Sequence, residues 1–169
     1  MELVVGQNTY ITVEDCEELL KSYYGETSEI VNKFSGLTEA DKKANVYRSF
    51  IDMQRLPYRG KKEKLDQKTA FPRINRYGYK SDDEMVKLAQ ALNTTVFVLT
   101  ATSGDEASIE KILSYGKYGL KSYRLGSFYV TMEGSEYKQT SSTTSKSGLV
   151  EEILKDWLRG SVPIRWVIY

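Results

Sequence analysis

The sequence predicts a mainly α protein: a small bundle of about four helices, a short β-hairpin or strand element, and an extended C-terminal strand. Three observations carry this. A hydroxyl stands three residues before an acid at Thr12–Asp15, Thr38–Asp41 and Ser81–Glu84, the local chemistry of a helix start. Apolar residues recur at three- and four-residue steps behind each of these starts. The last residues, SVPIRWVIY, alternate Val162, Ile164, Trp166 and Ile168 with Arg165, Val167 and Tyr169, a strand pattern.

The first helix is expected from about Val13 to Tyr24, ended by Gly25. The second runs from about Glu39 to Leu56, with Leu37, Ala40, Ala44, Tyr47 and Ile51 as its apolar stripe and Pro57 as its stop. A third begins near Asp82, with Met85, Leu88, Leu92, Val96 and Leu99 on one face. Ser81 to Glu84 reads as a full capping box; the Asp versions at Thr12 and Thr38 are weaker, because a shorter side chain reaches back less well. The second half of the third helix, TTVFVLTAT, is rich in strand formers, but its unbroken helical spacing favours helix. SFYVTM alternates Phe128, Val130 and Met132 against Tyr129 and Thr131, a half-buried strand. A last helix, about Leu149 to Leu158, carries Leu149, Val150, Ile153, Leu154, Trp157 and Leu158 on one stripe before Gly160.

Two connectors separate these elements. Residues 57–80 form a long structured loop punctuated by Pro57, Gly60, Pro72 and Gly78. Residues 134–147, GSEYKQTSSTTSKS, are polar and low in complexity, so they are expected to be exposed and tolerant of deletion. The expected organisation is therefore a helical domain over 1–160, with 134–147 exposed within it, and an extended docking tail over 161–169. Two readings of that tail stay open. It pairs with the strand at 127–132 and completes the core, or it leaves its own domain to add a strand to a partner.

At 169 residues, with 40% hydrophobic and 28% charged side chains, the chain has the size and composition of one globular domain. It contains no histidine, which excludes a Ser-His-Asp triad, a Cys-His pair and imidazole metal sites. Cys16 is the single cysteine, which excludes a disulfide framework or a thiolate cluster within one chain. No catalytic residue, cofactor or metal is expected. The opening MELVVGQNTY lacks a basic segment and an apolar segment, so no secretory signal is expected. The longest clean apolar run, VFVL at 96–99, is too short to span a bilayer, and no membrane partner is expected. Gly116, Gly119 and Gly126 precede a strand, whereas a dinucleotide-binding fingerprint follows one. Asp105, Glu106 and Glu110 read as an acidic first turn of a helix.

Charge is distributed unevenly. Residues 55–80 hold nine Lys or Arg against Glu63 and Asp66, a net +7, which leaves −6 for the rest of a chain whose total is +1. Tyr58, Phe71, Tyr77 and Tyr79 are interleaved with these cations. Cations for phosphates and flat rings for bases are what a single-strand nucleic-acid groove needs. The same composition also suits a solvated loop whose few aromatics pin it to the core, and no nucleic-acid-binding sequence motif accompanies it.

Three stretches resemble a known family. Gly6-Gln7-Asn8-Thr9-Tyr10-Ile11-Thr12 before an acidic helix is similar to the entry of the head–tail connector adaptor proteins of long-tailed (siphovirus- and myovirus-type) phages. Tyr58-Arg59-Gly60-Lys61, then Gln67, then Phe71-Pro72-Arg73, is similar to their loop. Leu120-Lys121-Ser122, followed by Leu125-Gly126-Ser127-Phe128-Tyr129-Val130, is similar to their hairpin. The motifs follow in order along nearly the whole chain. Cys16 stands where the family often has Ala, and Tyr58 and Phe71 stand where it usually has Trp. Such sequences are also described as primosome-like single-strand DNA-binding proteins.

The resemblance implies a structural virion protein that waits in the host cytoplasm before assembly. It would then form a ring, twelve-fold, beneath the portal, extending the DNA channel and docking a stopper or tail completion protein. The partners implied are the portal protein, neighbouring adaptor subunits and, without sequence reading, packaged double-stranded DNA. Val162, Ile164, Trp166, Ile168 and Tyr169 would dock on the portal or on a neighbour. Arg59, Lys61, Lys62, Lys64 and Arg76 would face the lumen, beside DNA, or a neighbouring subunit. Phe71, Pro72 and Arg73 would anchor the loop, with Arg73 paired to a carboxylate or to carbonyls at a helix end.

Overall fold

The computed structural model describes residues 2–101, 122–125, 128–131 and 148–159. The protein is mainly helical, as its sequence predicts. Its described elements are α1 (Val13–Tyr24), α2 (Glu29–Ser35), α3 (Glu39–Gln54), β1 (Lys61–Lys62), β2 (Arg73–Ile74), α4 (Asp83–Ala101), β3 (Ser122–Leu125), β4 (Phe128–Thr131) and α5 (Gly148–Ile153). A single 3-10 turn, Lys155–Trp157, follows α5.

The helix starts obey their caps. Thr12 closes a full capping box on α1: the Asp15 amide donates to Thr12 Oγ1 at 3.0 Å, and the Thr12 amide to Asp15 Oδ2 at 3.1 Å. Thr38 accepts from the Asp41 amide at the start of α3. The expected box at Ser81 does not form. The Asp82 carboxylate takes the Glu84 amide instead, and the Ser81 hydroxyl accepts from the Arg73 amide at 3.0 Å. That hydroxyl is spent on holding the basic loop. The short helix α2, which sequence periodicity did not signal, begins at Ser28 and buries Ile30, Val31 and Phe34.

α4 is the central element, packed against α1, α2, α3 and α5. Residues 91–99 are buried on every side of the helix. Its β-branched run stays helical because its hydroxyls are satisfied within the helix: Thr94 donates to the Gln90 carbonyl and Thr95 to the Leu92 carbonyl. The face toward α3 is polar. Gln90 donates to the Val46 carbonyl and accepts from the Tyr10 amide at 2.7 Å, Asn93 donates to the Ser49 carbonyl, and Thr94 meets the Ser49 hydroxyl.

This polar seam explains a misreading of α3. The expected stripe of Leu37, Ala40, Ala44, Tyr47 and Ile51 lies on its flank, half-buried or exposed. The buried face is rotated to Lys42, Asn45, Val46, Ser49, Phe50 and Met53. Three of these residues are polar or charged, so an apolar count along the sequence points to the wrong side. Lys42 is tolerated there because its ammonium lies 3.4 Å from Glu17 and 3.6 Å from Glu39.

The expected last helix is broken. α5 stops at Ile153, and after the 3-10 turn Leu158 becomes extended and forms an antiparallel bridge with Tyr58. β3 and β4 form an antiparallel hairpin with Tyr123 opposite Val130 and Leu125 opposite Phe128. The stretch 134–147 and the tail 161–169, with Val162, Ile164, Trp166, Ile168 and Tyr169, lie outside the described residues.

Candidate nucleic-acid interface

Sequence reading treats 57–80 as a loop; the structure makes it a built platform. Its foundation is aromatic. Phe71 is 2% exposed and meets three rings edge-on: Tyr58 at 4.6 Å between centroids, Tyr10 at 6.2 Å and Trp157 at 6.2 Å. The Tyr58 hydroxyl donates to the Met53 carbonyl at the end of α3. The Tyr10 hydroxyl accepts from the Phe71 amide at 3.1 Å and from Gln54 at 2.7 Å. The Phe71–Pro72 peptide is cis. On the far side, the Arg59 amide donates to the Trp157 carbonyl and the Arg159 amide to the Pro57 carbonyl, both at 2.7 Å. The loop is thereby stitched to both ends of the bundle sequence.

Burial pushes the Tyr10 phenol up to about 12 and the Tyr58 phenol further in the same direction. Both therefore keep their protons in the fold after an unfolded tyrosine, with a value near 10, has lost its own. For raised values, this contribution is fully present below about pH 10 and is lost as pH climbs toward 12. Denaturant melts at pH 9 and pH 11 are expected to show a clear fall in midpoint at the higher pH.

Arg73 ties the upper layer. Its Nε donates to the Arg59 carbonyl at 2.7 Å, one terminal nitrogen to the Gly60 carbonyl at 2.7 Å, and the other to the Ala70 carbonyl at 3.2 Å. The guanidinium lies 5.7 Å from the Tyr58 ring centroid. The expected carboxylate or helix-end partner is absent from this set; all three acceptors are carbonyls of the loop. Desolvation and the neighbouring Arg159 both disfavour the Arg73 charge and lower its affinity for the proton.

On this foundation sit three short extended segments. Lys61 pairs with Ile74 and Lys62 with Arg73, while Ile74 also bridges to Lys80. Gly60 makes the close approach possible. It sits at φ +71°, and a Cβ there would fall 2.4 Å from the Ile74 carbonyl oxygen. Gly60→Ala is expected to part β1 from β2, lose about 1–2 kcal/mol, and speed exchange of the Glu63 amide, which donates to the Pro72 carbonyl.

Residues 75–79 then close into a finger. The Asn75 side-chain oxygen accepts from the Tyr77 and Tyr79 amides at 2.9 and 3.0 Å, and the Asn75 amide donates to the Tyr79 carbonyl at 2.9 Å. Gly78 turns the tip at φ +87°. Tyr77 is 68% exposed and Tyr79 71% exposed. The Arg76 guanidinium lies 4.6 Å from the Tyr77 ring centroid and donates to its hydroxyl.

The four aromatics of the basic stretch thus divide, Tyr58 and Phe71 inward and Tyr77 and Tyr79 outward. Arg59, Lys61, Lys62, Lys64 and Arg76 are all exposed on the same platform, joined by Lys68 and, from the C-terminal segment, Arg159. Glu63 is offset by Lys80 at 3.4 Å. Arg159 and Trp157 are far from the loop in sequence, and the broken last helix hid them. No group of acidic or thiol side chains among the described residues is arranged to hold a metal ion. Cys16 is buried, and desolvation pushes its thiol up to about 12, away from a reactive thiolate. No described helix is long and apolar enough to cross a membrane.

A family model described as "Putative DnaT-like ssDNA binding protein" matches residues 2–166. No curated protein and no solved structure matches the chain.

Proposed function

We propose that this chain, which belongs to the DnaT-like single-strand DNA-binding family, is a structural protein that touches DNA, and specifically an adaptor of the phage head–tail connector. It assembles as a twelve-fold ring beneath the portal, lines the DNA channel, and offers its lower face to a stopper or tail completion protein. It carries out no catalysis. Its place is the virion neck, and before assembly the host cytoplasm.

The observation that carries this reading is the platform over 57–80. Its cations project from a layer fixed by Phe71 and by the three carbonyl bonds of Arg73. Fixed cations of this kind position a phosphate backbone without reading bases. The ordered match of entry, loop and hairpin motifs to the adaptor family supports the finer assignment. The tail supports it too. In sequence, Gly160-Ser161 precedes an alternating apolar pattern with Trp166 and Tyr169, residue types favoured at the centre of interfaces.

Purified virions are expected to contain the chain at the portal's copy number. Truncation after Gly160 retains Trp157, Leu158 and Arg159, so the platform keeps its stitch. That variant is expected to fold, stay soluble and fail to bind the portal. Absence from virions, or unfolding on truncation, defeats the assignment.

One observation favours a second reading, a single-strand binder acting in phage replication or packaging: the two exposed tyrosines of the finger. Steeply salt-dependent binding of oligonucleotides by a protein absent from virions would select it.

A further inference from the structure

We infer that the finger 75–79 is a stacking site for unpaired nucleotides. This rests on the reading that the platform meets DNA and adds which residues take the bases. Three features converge on it.

Tyr77 and Tyr79 expose most of their area at the tip of a five-residue turn. Tyr10 and Tyr58, which fill space beneath the platform, are covered, and Tyr77 and Tyr79 are more exposed than Tyr23 on α1. The finger is also fixed in advance. Asn75 holds both tyrosine backbone amides, Ser81 is tied to the carbonyl and the amide of Arg73, and Arg76 caps one ring. Ordering the loop backbone during binding would otherwise cost affinity, and the pre-fixed turn removes part of that cost.

The surroundings select the occupant. β2 joins the finger directly to β1, so Lys61 and Lys62 lie one strand away from its root. Lys64 and Lys68 follow on the same exposed loop. On the other side Asp82, Asp83 and Glu84 open α4 and repel an anion. An anionic chain is therefore guided from the tyrosines toward β1. A partner offering flat apolar faces joined by a phosphate backbone fits both halves of the surface. In duplex DNA those faces are already stacked, so an unpaired strand is the form the finger accepts.

The test is fluorescence anisotropy with three labelled probes: a twenty-nucleotide thymidine oligomer, the same backbone with abasic sites, and a duplex. The wild-type protein is expected to prefer the thymidine oligomer over the abasic one. Tyr77→Ala with Tyr79→Ala is expected to weaken thymidine binding about five- to a hundredfold, erase that preference, and leave duplex binding and the salt slope alone. Tyr77→Phe with Tyr79→Phe, which keeps the rings, is expected to retain the preference. Replacing Lys61, Lys62 and Lys64 by serine is expected to weaken all three probes and flatten the salt slope.

If wild type binds the three probes but the alanine pair changes nothing, the finger is not a stacking site, while the DNA-contact reading stands. If wild type binds none of them, both fall. If the alanine pair instead abolishes association with the portal protein and spares DNA, the finger is a protein-docking element and the inference is overturned.

Discussion

Replacing Phe71 by alanine is expected to lower stability by about 3–5 kcal/mol and to release the basic platform from the bundle. The ring is 2% exposed and sits where Tyr10, Tyr58 and Trp157 converge. Each edge-to-face pair adds to the area term, by about 0.5–1.5 kcal/mol in measured cases. The rings around the gap come from a loop, a helix entry and the C-terminal segment, so their ability to close over it is limited. Equilibrium denaturation measures the loss, and limited proteolysis should show cleavage between 57 and 80 that wild type resists. A loss under about 1 kcal/mol, far below a buried aromatic truncation, would mean that the loop is not docked through this ring.

Arg73→Ala is expected to cost about 2–3 kcal/mol, since hydrogen bonds to charged groups contribute most where they are shielded and these are partly open to water. The guanidinium joins three carbonyls that no other described side chain reaches together. Arg73→Lys should recover little, because a single ammonium cannot reproduce a planar fork. Replacing Lys61, Lys62 and Lys64 together should stay within about 0.5 kcal/mol of wild type, as exposed substitutions do. Thermal melts of the four proteins decide. Equal sensitivity of the lysine triple and of Arg73→Ala would remove the distinction between anchor and surface.

The mainly helical fold was legible where local chemistry decides it. Thr12, Thr38 and Pro57 marked boundaries from their own side chains and ring. α4 was legible through its spacing despite its β-branched content. What stayed hidden depended on partners. The buried face of α3 is chosen by Gln90, Asn93 and Thr94 of another helix, so no pattern within α3 contains it. The Ser81 hydroxyl looked like a cap because the competing Arg73 amide arrives through a tertiary contact. In the candidate interface the charge excess was visible, but the division of its four aromatics was not. Tyr58 and Tyr77 are chemically alike, and Tyr58 is the buried one because the Phe71 ring, the Met53 carbonyl and the Leu158 bridge receive it.

The stitch between Tyr58 and Leu158 also sets an order of events. Phe71 leaves the ribosome 86 residues ahead of Trp157, the ring that completes its enclosure. Until Trp157 has been made, the loop has neither its last aromatic wall nor the backbone bonds from Trp157 and Arg159. Long-range closures of this kind come late in folding, because the intervening chain must be ordered first. A chain that stops before Trp157 therefore has the Phe71 and Arg73 contacts of its platform but not the closing bonds from the C-terminal segment. A chain lacking residues 157–159 is thus expected to hold its cations on a looser surface, one cut more readily by protease between 57 and 80.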